Sequence, residues 1–488
     1  MRLLVIVPAV APLVRDGGVA EGILALSRAL ARMGCQVTVA VPASPALDLA
    51  AVRWSADFAA PAGSAARLRY GELGNGARVL LIATGAPAPR GNPGGAGDAW
   101  GCDTDDRATA EHFARFCQAV VAHVDASAAA GAPYAVVHAH DWPGAPALHL
   151  LASRRAPAPA TVLTIHNLVF QGIYPREAGR HLGPSVEGDA HAALDSGGKL
   201  NFLRAGIVSA DLVLTVSPTY AREIVRPGLG EGLHAELAAR GPTLRGLANG
   251  IDDALWDPAR DPHLAARYDA GDPSGKRACK AALLAELGLA GRGEAPLAVS
   301  LGRIDAQKGS DVLAEALGPL AANDVTTLVA GSGDADLARG LERAAREAGP
   351  RARYLGYVPE PLAHRLIAAA DVVLLPSRFE PCGIVQMYAQ RYGALPVARR
   401  TGGLGDTIVD CDVDPARGTG ILFGPLGAGA VVDATLRGIA ARRAPSWPEV
   451  EQRLLRLPLG WGRAAMHHRM LYDDLATKRA RHAGSGAT

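Results

Sequence analysis

At 488 residues the chain is too long for one ordinary core, and its hydrophobic share of 49% is enough to fill two large domains. Fifty Lys and Arg against 48 Asp and Glu, with aromatics at 5%, argue against a basic field or a stacking platform for nucleic acid. No stretch approaches the ~20 apolar residues of a membrane span, and six scattered cysteines without CxxC or zinc spacing point to free thiols in a reducing cytoplasm.

Residues 3–7 form a continuous apolar run of the kind buried in a parallel sheet. Met1-Arg2 and this run could pass for a short leader, but Pro8 interrupts it and the following residues complete a strand, glycine loop and helix. The run therefore reads as a strand and not a signal peptide. The loop is Arg15-Asp16-Gly17-Gly18. Ile23, Leu26, Ala29, Leu30 and Met33 then fall on one helical face, Gly34 stops the helix, and residues 36–41 form the next strand. This is a βαβ unit with its glycine loop at the carboxyl end of a strand, where open α/β sheets bind ligands. The loop is not GxGxxG, which disfavours a nicotinamide dinucleotide.

Residues 61–106, rich in Gly, Ala and Pro, read as a partly irregular insertion with 79–82 as its one strand-like run. Strands follow at 135–138 and 161–165, each running into polar residues: His138-Ala139-His140-Asp141-Trp142, then His166-Asn167. If the first strand continues, His138 and His140 share a face while Asp141 points away, so a metal would need ligands from elsewhere and is disfavoured. Residues 211–216 form another buried strand, ending at Ser217, a good helix cap. The pattern breaks at Asn249-Gly250-Ile251-Asp252, and Pro258, Pro262 and Pro273 mark a handover between domains. The expected division is an N-terminal domain over 1–248, a second over 249–460, and a C-terminal segment over 461–488.

The second domain repeats the strand and helix alternation, with strands at 297–301, 327–330, 352–355, 372–375, 395–398 and 420–423, as in a parallel sheet with helical crossovers. Its first strand leads into Arg303 and Lys308. Taken alone, two cations five residues apart are a solvated loop; at a strand mouth facing glycine turns they could hold a diphosphate. Gly331-Ser332-Gly333 reads as a turn without chemistry. Further on, Glu380-Pro381 opens a helical segment that ends near Gly393, and Thr401-Gly402-Gly403 begins another. Two strand-to-helix turns in succession aim backbone N–H groups at one place, which suits an anion, with Arg399 and Arg400 close in sequence. Glu-Pro by itself is an ordinary helix opening. From Trp447 an amphipathic helix is expected to about Lys478, with a disordered tail from Ala483.

Eight collinear motifs then point one way: GGVAEGILALSRALARMG, HAHDW, TIHNLVFQGIYP, AGIVSADLVLTVSPTYAREI, LANGIDDALWDP, GRIDAQKG, SRFEPCGIVQMYAQRYG and RRTGGLGDTIVD. Together they make the chain resemble the starch and glycogen synthase family of retaining GT-B glycosyltransferases. The resemblance implies an α/β fold of two Rossmann-like, doubly wound parallel-sheet domains facing across a deep cleft, with a C-terminal helix crossing back to the N-terminal domain. It implies glucosyl transfer from ADP-glucose to the nonreducing end of an α-1,4-glucan such as glycogen, with no metal and no cofactor. By motif position, Arg303 and Lys308 would neutralise the departing diphosphate and Glu380 would contact the glucose beside the N–H groups of Cys382 and Gly383. Thr401 and Gly402 would lie near the phosphates. Asp141 and His166 would hold sugar hydroxyls and the back of the reacting centre, Asn249 would face the glucose, and Tyr357 would pack on the adenine.

Two departures stand in the glycine loop. Where the family has Lys-x-Gly-Gly-Leu-x-Asp, this chain places Arg15 and Glu21 at the charged positions and keeps Gly18. Arginine preserves the charge but changes reach and geometry. Two alternatives remain open: another GT-B transferase with UDP-glucose or a small acceptor, and a glucan-binding homologue impaired in catalysis.

Overall fold

The computed structural model describes residues 1–14, 18–55, 58–59, 66–86, 107–154, 158–182, 190–289 and 295–485. Its chain divides into two compact units: Met1–Asn249 with Trp461–Thr488, and Gly250–Gly460.

Unit 1 is built on a nine-stranded sheet in the order Leu244–Gly246, Leu212–Thr215, Ala160–Ile165, Val136–His140, Arg2–Ile6, Gln36–Pro42, Ala77–Ala83, Arg67–Gly74, Phe58–Ala59. The pairings are parallel except for the two at the Phe58–Ala59 end. Near-continuous apolar strands fit this arrangement because helices cover both faces. Helices Arg107–Ala129, Asp141–Ala152 and Phe202–Ser209 bring Phe113, Val120, Leu148 and Leu203 to one face. Helices Gly18–Arg32 and Trp461–Ser485 bring Ile23, Leu26, Leu30, Trp461 and Tyr472 to the other.

Three expectations need correction here. Met33 lies beyond the last residue of its helix and is 38% exposed, so it leaves the apolar face it was assigned to. The stretch before residue 79 is not irregular throughout: Arg67–Gly74 and Ala77–Ala83 form an antiparallel hairpin, with Asn75 and Gly76 both at positive φ in its tight turn. The segment after Trp447 is two helices, Trp447–Leu455 and Trp461–Ser485. Pro458 cannot extend the first, and the Leu459 carbonyl instead accepts the Ile251 N–H at 2.9 Å. The second helix continues to Ser485, past the expected start of a tail; residues 486–488 lie outside the described chain.

Unit 2 carries a six-stranded, wholly parallel sheet in the order Ala352–Tyr354, Thr326–Ala330, Leu297–Leu301, Val372–Leu375, Leu395–Arg399, Ile421–Phe423. The sequence order reverses between the Leu297–Leu301 and Val372–Leu375 strands, the kind of switch point at whose carboxyl ends such sheets bind ligands. Opposite faces bury Leu328, Ile367, Val373 and Tyr392, and Leu313, Leu317, Leu374 and Val397.

Candidate active-site residues

In unit 2 the loops after three strands interlock. The segment after Leu297–Leu301 is tied to the turn after Thr326–Ala330, since Ile304 N–H donates to the Ser332 carbonyl at 2.9 Å and Asp334 N–H to the Ile304 carbonyl at 2.7 Å. The glycine turn read as featureless thus holds the loop that carries the two cations. Asp305 then accepts the Lys308 N–H at 2.7 Å, and Arg303 lies 3.2 Å from the Asp305 carboxylate and 3.0 Å from Gln307 Oε1. This rigid loop turns Lys308 toward Glu380: Nζ and Oε2 are 2.6 Å apart, and Ser377 Oγ donates to the same oxygen at 3.0 Å. Glu380 is 4% exposed, so the ion pair is close to fully desolvated on the acid's side.

Glu380-Pro381 does not open a helix. The helix begins at Val385 and runs to Arg391. The Glu380 carbonyl accepts the Gly403 N–H at 2.9 Å, and Gly383 takes φ 66°, a left-handed turn that interrupts any helical path through these residues. Buried Gln386 closes the turn, donating to the carbonyls of Cys382 at 3.2 Å and Gly383 at 2.7 Å. Gly403 approaches so closely that a Cβ there would overlap the Cys382 carbonyl oxygen. Thr401 caps the short helix Gly402–Thr407 with extended backbone geometry. Glu380, Cys382, Gly383, Thr401, Gly402 and Lys308 therefore belong to one framework, with Arg303 on its cation loop. Arg399 bonds the carbonyls of Arg378 and Gly424, and Arg400 pairs with Asp410 at 3.1 Å. Tyr357 is apart from these contacts, on the loop after Ala352–Tyr354, and is 65% exposed.

In unit 1, Asp141 and His166 meet at adjacent strand ends. The strand Val136–His140 does run through both histidines, and Asp141 turns off it at φ 54°, an uncommon backbone state for a residue with a Cβ. Its Oδ1 accepts the His166 N–H at 2.7 Å. Burial pushes the Asp141 carboxyl up and the His166 imidazole down, each opposed by the charge of the other. His138 is buried with both nitrogens paired, Nδ1 with Tyr472 OH and Nε2 with Thr164 Oγ1, each at 2.7 Å. Its ring lies 4.2 Å from that of His140, which shares a 2.9 Å hydrogen bond from Nδ1 to His166 Nε2. Sequence spacing indicated the common face of His138 and His140 but not this row, whose end is closed by Tyr472 and His468 of the C-terminal helix. Burial holds His138, His140 and His468 below the usual imidazole range. Among the described residues no three His, Cys, Asp or Glu are grouped to hold a metal ion.

Asn249 is half-buried at the last position of the first stretch of unit 1. Gly18 is the exposed first residue of its helix, and Arg15 lies outside the described residues.

Comparison with known proteins agrees with this organisation. A family model described as starch synthase catalytic domain matches residues 2–239, and one described as glycosyl transferases group 1 matches residues 295–440. The chain is 40% identical to a glycogen synthase of Anaeromyxobacter dehalogenans, covering 98% of this chain and 100% of that one. It is also 40% identical to a glycogen synthase of Thioalkalivibrio sulfidiphilus at the same coverages. Among solved structures, the catalytic domain of starch synthase IV from Arabidopsis thaliana, bound to ADP and acarbose, matches with a TM-score of 0.83 and 28% identity over 97% of this chain and 99% of that one. A sucrose-phosphate synthase from Thermosynechococcus elongatus shares the fold, with a TM-score of 0.60 at 19% identity over 98% of this chain and 99% of that one.

Proposed function

The chain belongs to the glycogen synthase family, and from that premise we propose that it is a retaining glycosyltransferase of GT-B fold. Its donor is ADP-glucose, its acceptor the nonreducing end of an α-1,4-glucan, and its configuration at the transferred carbon is retained. A solved relative bound to ADP supports an adenosine diphosphate donor, and the names of the relatives at 40% identity support glycogen as product.

The observation that carries the reading is the Lys308–Glu380 pair, 2.6 Å apart within the interlocked loops of unit 2. Breaking the bond between sugar and diphosphate builds positive charge on the glucosyl carbon and negative charge on the departing phosphates. A site that speeds this step needs cations held in place before the charge develops. Lys308 and Arg303 supply them on a loop fixed by Asp305 and Ser332. When the donor enters, Lys308 exchanges its carboxylate partner for a phosphate oxygen, which releases Glu380 to accept hydrogen bonds from glucose hydroxyls. The backbone of Cys382, Gly383, Thr401 and Gly402 borders the same place. Asp141 and His166 of unit 1 are a carboxyl and a neutral imidazole suited to hold sugar hydroxyls, and Asn249 is assigned as a further sugar contact. Arg15, Gly18 and Tyr357 are assigned to the donor by motif position. The assignment requires no cofactor beyond the donor, and the free cysteines among the described residues suit a cytoplasmic enzyme. No described helix is long and apolar enough to cross a membrane.

The test is incorporation of labelled glucose into glycogen with ADP-glucose or UDP-glucose as donor, with nucleotide release followed in parallel. The expected result is one ADP released per glucose added. Preference for UDP-glucose, or glycogen binding without ADP release, would overturn the reading.

A further inference from the structure

His140, in the buried histidine row, has no part in the proposed reaction. His140 is 2% exposed, its Nδ1 is 2.9 Å from His166 Nε2, and its Nε2 is enclosed without a hydrogen-bond partner. His138, on the same strand face, has both nitrogens satisfied. We propose that His140 is a positioning residue that donates from Nδ1–H to His166 Nε2 and so fixes His166 as the Nδ1–H tautomer.

Counting protons decides between the two tautomers. Burial keeps both rings neutral at neutral pH, so each carries one N–H. Only one proton can lie between His140 Nδ1 and His166 Nε2. If it belonged to His166, the proton of His140 would sit on Nε2, an N–H shut away from any acceptor, which is the state folded proteins avoid most. Nor can a ring face take it: the His138 and His140 rings lie 33° from parallel, so an N–H in the His140 plane does not point into the neighbouring π cloud. If the proton belongs to His140, the enclosed Nε2 is left only with a bare lone pair, and the remaining N–H falls on Nδ1 of His166, a half-buried residue. That N–H is a donor of fixed sense. It favours an acceptor oxygen of a ligand, and it cannot serve as a base without the pair being rearranged.

The consequence for catalysis rests on the assignment of His166 to a sugar hydroxyl; the tautomer itself does not. The experiment is a long-range proton–nitrogen correlation spectrum of the full chain labelled with 15N-histidine at neutral pH, with the His166 signals identified by their loss in His166→Gln. The expected pattern at His166 is a protonated Nδ1 and an unprotonated Nε2. The reverse pattern overturns the proposal without reference to activity. His140→Asn keeps an N–H donor where Nδ1 stands, whereas His140→Asp offers only acceptors when ionised and reverses the tautomer of His166. We expect His140→Asp to lower kcat/KM by about 10- to 100-fold and His140→Asn to recover most of it. Equal losses in both variants would mean that His140 only fills space, and would overturn the positioning role. The predicted tautomer together with full activity in His140→Asp would leave the proton assignment standing and remove His166 from the sugar site.

Discussion

The two units place their candidate residues alike, at the carboxyl ends of parallel strands, yet hold them by opposite means. In unit 2 the framework is mainly backbone: Ile304 to Ser332 and Gly403 to Glu380 fix loops from which charged side chains project, with the Asp305 carboxylate accepting the Lys308 N–H. In unit 1 the framework is side chains, a row of rings running from buried Tyr472, His138 and His140 to half-buried His166. Backbone pairing suits a site that must tolerate a large change of charge, because peptide hydrogen bonds hold their geometry whatever charge the ligand carries. Packed neutral rings suit recognition of hydroxyls, because they fix direction without a field.

The sharpest way to break this comparison is at the charge. Glu380→Ala removes a desolvated carboxylate but none of the backbone bonds of its frame, so kcat for transfer should fall by about 10²- to 10³-fold while the unfolding temperature changes little. A variant that lost activity only in step with stability would make Glu380 structural.

Acid separates the units next. His123, His138, His140, His149, His166 and His468 all have imidazoles pushed down by burial, His123 and His468 to about 4, and all lie in unit 1. Once unfolded, each takes its proton near 6.5, so the unfolded chain gains protons first as pH falls. Unit 1 therefore keeps this stability above about 6.5 and loses it progressively toward 4, by up to about 1.4 kcal/mol per pH unit for each group. Lys276 of unit 2, lowered to about 7 by burial, makes stability rise with pH above about 7 and adds no slope within the acid window. Between pH 7 and pH 5 amide protection, taken relative to the intrinsic exchange rate, should fall in Val136–His140 and hold in Val372–Leu375; an equal fall in both would contradict the contrast.

The smallest expected effects lie along the C-terminal helix. Tyr472→Phe leaves buried His138 Nδ1 without its 2.7 Å partner and should cost about 1–3 kcal/mol by denaturant titration. Arg479→Ala removes an exposed pair with Asp211 and should cost only about 0.2–1 kcal/mol. Equal costs would mean that the helix is held by its surface and not by the ring row.

Much of this was legible in the sequence. Apolar runs located the parallel strands, because strands covered on both faces must be apolar throughout, and Ser217 was rightly read as a helix cap, accepting the Tyr220 N–H at 2.9 Å. The hairpin of Arg67–Gly74 and Ala77–Ala83 carries only one sequence signal, the Asn75-Gly76 turn, and the surrounding Gly, Ala and Pro mask it. The helix start at Glu380 failed for a different reason. Local propensity favours it, but Lys308 and Gly403 hold that residue from distant parts of the chain, and Ser377 holds its carboxylate from three residues before. The ring row was out of reach, since it depends on strands Val136–His140 and Ala160–Ile165 being neighbours and on Tyr472, 334 residues from His138.

The central claim is that the cation loop of unit 2 receives the diphosphate while Glu380 serves the sugar. Calorimetric titration of ADP into the native chain, Lys308→Ala and Glu380→Ala tests it most directly. ADP affinity should fall by about 10²-fold in Lys308→Ala and be kept or strengthened in Glu380→Ala, where the lysine no longer has to leave a carboxylate. Unchanged affinity in Lys308→Ala, or equal loss in both variants, would contradict it.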